Sequence, residues 1–213
     1  MNYENRTVCF FDILGFSNIV KNEILDAKEI TQLFLEITLI INEYKYDNIQ
    51  CTYFSDSIVI SIGRPALSTR QLKLITEILI KFLKYKLVAR GAMVYGKVIH
   101  TSEFIFGPAL VRAALLEKES KFPRIILDQS LDEEFLPTRG NTQIKHRNFY
   151  NDYMFVKKDE TDGHYYVDLI GEIRKKQNSK ELIDILNHLV VDGLKSKDQK
   201  IIEKYKWLKE KMS

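Results

Sequence analysis

A carboxylate set inside an apolar run is the feature that most limits what this chain can become. Val8-Cys9-Phe10-Phe11-Asp12-Ile13-Leu14-Gly15-Phe16-Ser17 reads as a buried strand that carries Asp12 and is followed by a glycine. A second stretch, Cys51-Thr52-Tyr53-Phe54-Ser55-Asp56-Ser57-Ile58-Val59-Ile60, reads as two short β-prone runs meeting at a tight turn that holds Asp56. Aspartate is among the residues least often buried without a partner. Asp12 alone would also fit a strand-end or capping role. Two such carboxylates in two otherwise hydrophobic strands need a shared partner, and a divalent cation is the simplest one.

Around these stretches the hydrophobic pattern alternates between helix and strand periods. Ile30, Leu33, Phe34, Ile37, Ile40, Ile41 and Tyr44 recur at helical spacing behind a capping box formed by Asp26 and Glu29. Leu72, Ile75, Ile78, Leu79, Phe82 and Leu83 repeat that spacing behind Ser68 and Gln71. Leu87–Val94 and Val98–His100 are expected as two strands joined through Tyr95-Gly96-Lys97. Gly107-Pro108 opens a third helix, with proline in the first turn, where its missing N–H is harmless. Arg124–Asp128 reads as a strand, Leu131–Phe135 as a short helix, and residues 141–151 as irregular, with His146 and Arg147 near their middle. Tyr153–Val156 and Tyr165–Leu169 form a hairpin. From Ser179 onward two helical pieces are split at Gly193. This order implies an α+β fold with a mostly antiparallel sheet and helices on one face.

At 213 residues the chain is expected to form one domain with an appendage. A hydrophobic share of 45% and a charged share of 29% describe a globular protein rather than a disordered one. The formal net charge of +3 suits an anionic small molecule and is too weak to indicate nucleic acid. No apolar run reaches the length of a membrane span, and the first residues lack a signal-peptide pattern, so no membrane partner is expected. Cys9 and Cys51 sit in apolar runs and read as buried free thiols, which predicts a reducing, cytoplasmic setting. Four isolated histidines make no metal cluster, and the lysine-rich tail from Lys195 to Lys211 reads as a solvated helical face.

The motifs resemble one family. Phe10-Phe11-Asp12-Ile13-Leu14-Gly15-Phe16-Ser17 resembles the first metal-binding strand of the class III nucleotidyl cyclases. Tyr53-Phe54-Ser55-Asp56-Ser57 resembles their second metal-binding hairpin, with Ser55 in the place of the usual glycine. Arg90-Gly91-Ala92 with Gly96 resembles the central strand that follows, and Phe106-Gly107-Pro108-Ala109-Leu110 the segment that leads into a helix. Within that family the wording is most similar to the short bacterial pyrimidine cyclases of the Pycsar antiphage systems. The resemblance spans residues 8–128 and the hairpin at 153–169. It implies an α+β, ferredoxin-like class III cyclase catalytic domain over residues 1–175, with a C-terminal helical extension over 176–213.

The resemblance also implies a chemistry. Such enzymes convert a nucleoside triphosphate to its 3′,5′-cyclic monophosphate and release pyrophosphate. Asp12 and Asp56 would hold two Mg²⁺ or Mn²⁺ ions, with the Ile13 carbonyl as a further ligand, an oxygen set that suits hard cations. Backbone N–H groups from Leu14 through Gly15, Phe16 and Ser17 are expected to cradle the phosphates. Thr52 holds the position of the lysine with which adenylate cyclases read adenine. Tyr53 beside it is expected to face the base and shorten the pocket to a single ring, with plain strand packing as its alternative role. UTP is therefore the expected substrate and CTP the second choice. The asparagine and arginine that stabilise the transition state in adenylate cyclases align with Val111 and Leu115, so Arg90, Arg112 or Lys97 is expected to supply the cation. Arg112 also fits a solvated or dimer-facing role. The family implies a homodimer with sites at the subunit interface, and a cyclic UMP signal of phage infection read by a separate effector protein. A purine cyclase with an unusual base pocket, and a cyclase-like module that binds nucleotide without turnover, are the other readings.

Overall fold

The computed structural model describes residues 2–44, 47–63, 68–133 and 155–213. Strand β1 (Glu4–Ile13) is central because both of its faces are apolar. Cys9, Phe11 and Ile13 point to one side, Val8 and Phe10 to the other. Its antiparallel neighbours are β3 (Ser57–Ile62) and β4 (Ala89–His100), both later in the chain. β2 (Ile49–Phe54) closes one edge against β3. Beyond β4 lie β6 (Ile125–Leu127), β8 (Tyr165–Val167) and β7 (Val156–Lys158), giving the order β2-β3-β1-β4-β6-β8-β7. β5 (Ile105–Phe106) pairs with the far end of β4. Only β4 and β6 run parallel among the described strands, as a crossover through α4 (Pro108–Glu119) requires.

Helices α2 (Ala27–Glu43) and α3 (Thr69–Lys84) cover one face. Both start at the capping boxes legible in the sequence: the Glu29 N–H donates to the Asp26 carboxylate at 2.8 Å, and the Gln71 N–H donates to Ser68 Oγ at 3.3 Å. Leu33 and Ile37 of α2 and Leu72, Ile75 and Phe82 of α3 bury completely against Phe11, Ile58 and Ile60. Each such side chain contributes about 1.5–3 kcal/mol of burial. α4 lies on the opposite face, its Ala109 and Ala113 seated on Val8, Val59, Val94 and Val98.

Several boundaries differ from expectation. β4 is one continuous strand, and Tyr95-Gly96-Lys97 is no turn. Gly96 sits beneath α4, where a Cβ would come 3.4 Å from that of Ala109. Two six-residue helices, α1 (Phe16–Lys21) and α6 (Leu169–Arg174), are too short to show a period. The short helix α5 spans Ser130–Glu133, and the remainder of that expected helix, the 141–151 segment and Tyr153 lie outside the described residues. The C-terminal pieces are α7 (Ser179–Leu194) and α8 (Gln199–Met212), so Gly193 lies inside α7 rather than between them. It is needed there because any Cβ would overlap the Tyr205 ring of α8. Both cysteines are free, and among the described residues no helix is long and apolar enough to cross a membrane.

Gly91 marks the tightest point of the sheet. A Cβ there would collide with the Phe10 carbonyl oxygen on β1. Gly91→Ala is expected to destabilise the fold by about 2–3 kcal/mol, read as a fall of roughly 5–10 °C in a thermal melt.

Candidate active site

The end of β1 delivers Asp12 to the face that carries α4. In register it stands opposite Arg90 on β4 and Ser57 on β3. Arg90 Nε donates to Asp12 Oδ2 at 3.0 Å and lies 2.7 Å from Glu117 Oε1, while its Nη1 reaches the Ser120 carbonyl at 3.4 Å. Glu117, on the last turn of α4, is buried. Burial, with the Asp12 charge adding to it, pushes the Glu117 carboxyl up against the pull of Arg90. Lys204, one turn before Trp207 on the inner side of α8, lies within electrostatic reach of Asp12, Glu117 and Arg90. Burial and the Arg90 charge lower its pKa. Neither Glu117 nor Lys204 was legible as a site residue, since each sits in a charged run that reads as solvated surface.

The β2–β3 turn reaches the same corner. The Ile13 N–H donates to the Asp56 carbonyl at 2.9 Å, and Ser55 adopts a left-handed φ of 49° where the family pattern has glycine. Asp12, Ile13 and Asp56 therefore meet at one end of the sheet. The Asp56 side chain makes no hydrogen bond or ion pair with the described residues, and Asp12 is 20% exposed. Among the described residues no three His, Cys, Asp or Glu side chains gather closely enough to hold a metal by themselves. Two carboxylates and a main-chain carbonyl fit the usual mode for Mg²⁺, in which one or two carboxylates act together with substrate phosphates.

Thr52 shares this face. It pairs across β3 with Val59, which pairs with Phe10, two residues before Asp12. Its Oγ1 lies 2.8 Å from His100 Nε2, and His100 Nδ1 lies 2.8 Å from Ser61 Oγ. Burial and the nearby Arg6 charge push the His100 imidazole down to about 4, so it is neutral at physiological pH.

A scan against protein-family models finds no match, and a search of the curated proteins finds none. Solved structures do match. The monomeric guanylyl cyclase domain of the RhoGC fusion protein from the aquatic fungus Blastocladiella emersonii aligns with 78% of this chain and 96% of its own, at 16% identity and a TM-score of 0.51. A non-canonical dimeric form of that domain aligns with 78% of this chain and 97% of its own, at 17% identity and a TM-score of 0.51. The chain has the class III cyclase fold.

Within that cyclase fold the other expected site residues are dispersed. Tyr53 points to the opposite face from Asp12, its hydroxyl 2.9 Å from Thr38 Oγ1 and its ring 5.1 Å from that of Phe34 on α2. Burial pushes its phenol well up. The expectation that Tyr53 faces the base is corrected: it holds β2 against α2. Tyr53→Phe is expected to cost about 0.5–1.5 kcal/mol in a denaturant titration and to leave base preference where it was. The Phe16 side chain is likewise in the core, and the Leu14 N–H donates to the Val88 carbonyl at 2.9 Å rather than remaining free for phosphate. Gly15 (φ 77°) precedes the first turn of α1, leaving the N–H groups of Phe16 and Ser17 that any helix start leaves open. Arg112 pairs with Asp128 at 2.8 Å, and the Asp128 N–H bonds Met93, three residues and about 10 Å along β4 from Arg90. Lys97 lies seven residues beyond Arg90, about 23 Å along the strand. Of the expected cations, only Arg90 is brought to Asp12 within one chain.

Proposed function

We propose that this chain cyclises a nucleoside triphosphate, UTP before the others, to its 3′,5′-cyclic monophosphate with release of pyrophosphate. The observation that carries the reading is the meeting of Asp12, Ile13 and Asp56 at one corner of a cyclase-type sheet. Those three groups would hold Mg²⁺ or Mn²⁺. When bound, such ions lower the pKa of the ribose 3′-hydroxyl and offset the charge of the triphosphate and the departing pyrophosphate. Arg90 is the guanidinium available for charge growing on the phosphoryl oxygens. Glu117 and the Ser120 carbonyl hold it in place from α4 whatever Asp12 engages. The N–H groups of Phe16 and Ser17, at the start of α1, would be on offer to the phosphates. Preference for a pyrimidine rests on the motif wording shared with the Pycsar cyclases, and with it the antiphage signal and its separate effector.

A homodimer with sites between its subunits is part of this reading. Val111 and Leu115 are 59% and 57% exposed on α4, and Phe54 is 49% exposed beside the Asp56 turn. Apolar side chains concentrated around the cleft face are suited to a second copy. The same Val111 and Leu115, standing where adenylate cyclases carry polar catalytic groups, favour the second reading, nucleotide binding without turnover. Incubating the purified protein with each of the four triphosphates and Mn²⁺, then identifying products by chromatography, decides between them. Cyclic UMP as the main product is expected; no cyclic nucleotide from any triphosphate would overturn the enzyme reading.

A further inference from the structure

We propose that a buried relay, Arg6–Ser61–His100, fixes Thr52 as a hydrogen-bond donor toward the nucleotide base, so that bases presenting a ring carbonyl are chosen over bases presenting an amino group. The inference rests on the reading above, in which the chain binds a nucleoside triphosphate with Thr52 facing the base.

The direction of each bond follows from its start. A guanidinium can only donate. Arg6, 3% exposed, donates from Nε to Ser61 Oγ at 2.8 Å and from Nη2 to the Ser61 carbonyl at 3.1 Å and to the Asn48 carbonyl. Ser61 is fully buried, and its single hydroxyl proton, with Arg6 on the oxygen, has the His100 Nδ1 as its acceptor at 2.8 Å. A buried hydroxyl proton left without an acceptor is strongly disfavoured. Nδ1 is therefore bare. A neutral imidazole with a bare Nδ1 carries its proton on Nε2, and that proton goes to Thr52 Oγ1 at 2.8 Å. With its oxygen already accepting from His100, Thr52 presents its own proton to the cleft.

A carbonyl oxygen takes that proton; an amino group leaves it unpaired. The contrast lies at C4 of a pyrimidine and C6 of a purine, where uracil and guanine carry a carbonyl and cytosine and adenine an amino group. The relay thus separates UTP from CTP, which ring size cannot do, and it predicts the same ordering, GTP over ATP, among the slower purines. Arg6, Ser61 and His100 are positioning residues that act through Thr52.

Two measurements test this. Long-range proton–nitrogen NMR on protein carrying ¹⁵N-histidine, with His100→Gln to assign the signal, is expected to show the proton on Nε2. A proton on Nδ1 overturns the relay. Binding of UTP, CTP, GTP and ATP in calcium is then compared by calorimetry, with turnover followed separately in Mn²⁺. The carbonyl base is expected to lead its amino counterpart by about tenfold or more in each pair. Thr52→Val should reduce that ratio to about twofold, and Thr52→Ser should restore it. An amino-base preference, no preference, or a ratio unmoved by Thr52→Val overturns the relay, even if cyclic product forms. Carbonyl preference in binding with no product upholds the relay and sinks the enzyme reading. Absence of any nucleotide binding sinks both.

Discussion

Asp56→Asn is expected to lower kcat for cyclic nucleotide formation by at least about a thousandfold, with a change of less than about 2 °C in the melting temperature. The two halves of this expectation come from different atoms. The turn is tied to β1 through main-chain groups, the Ile13 N–H and the Asp56 carbonyl, which the substitution leaves untouched. The side chain itself has no hydrogen bond or ion pair with the described residues, so little folding energy depends on it. Asp12→Asn differs, because it also dissolves the contact with Arg90. It should remove activity and some stability together. A thermal shift makes the comparison independent of turnover: Mn²⁺ with a non-cyclisable triphosphate at a hundredfold above its Kd should stabilise the parent by about 2.7 kcal/mol. That gain should vanish in Asp56→Asn. Stabilisation unchanged by the substitution would remove Asp56 from the metal site.

The second large effect lies away from the cleft. Asp159→Ala is expected to cost about 3–5 kcal/mol, because it takes from a buried guanidinium its buried partner and leaves it only the partly exposed Asp162. The Arg124 side chain is 1% exposed and pairs with Asp159, itself fully buried, and with Asp162. Trp207 Nε1 donates to the same Asp159 carboxylate at 2.6 Å, and Lys211 Nζ lies 3.3 Å from it. Trp207 stacks on Phe122 with ring centres 5.3 Å apart, and the guanidinium stands 5.5 Å from the Trp207 and Tyr166 rings. One carboxylate, in the turn between β7 and β8, thus fastens that turn to α8 and to the residue just before β6. Loss of roughly 10 °C in melting temperature and earlier protease cutting between α7 and α8 are the expected readouts.

The same carboxylate sets a pH dependence. Burial pushes Asp159 up, but hydrogen bonds from Thr161 and Trp207 and the Arg124 charge outweigh it and leave the group at about 2. Its folded pKa is therefore below the unfolded value of about 3.9. The stability it supplies is complete above that value and drains away as pH falls from about 4 through 2. Urea titrations across that window should show a slope in the parent protein that is shallower in Asp159→Ala.

Much of this arrangement is local and can be read along the chain. The capping boxes at Asp26 and Ser68 mark two helix starts because the partner is three residues away. Asp12 and Asp56 stand out because a carboxylate in an apolar strand contradicts its surroundings. The face of Tyr53 was equally legible: in a strand of period two, Thr52 and Tyr53 cannot both look into one cleft. What could not be read was set by distant pairings. His100 meets Thr52 across 48 residues of chain, Trp207 meets Asp159 across 48, and Arg90 meets Asp12 across 78. Gly96 and Gly193 looked like breaks because glycine is a common turn residue. Gly193 instead makes room for the Tyr205 ring, and Gly96 lies within a continuous strand, in ordinary contact distance of Ala109.

The central position of β1 has a consequence for how the protein is made. Both strands that flank it are encoded after it, the second ending only at His100. At about 5–20 residues per second, the nascent chain carries β1 with at least one edge open for roughly 5–20 s before its second neighbour exists. An open strand edge can pair with other nascent chains, so yield in a heterologous host should rise when a holdase chaperone is co-produced.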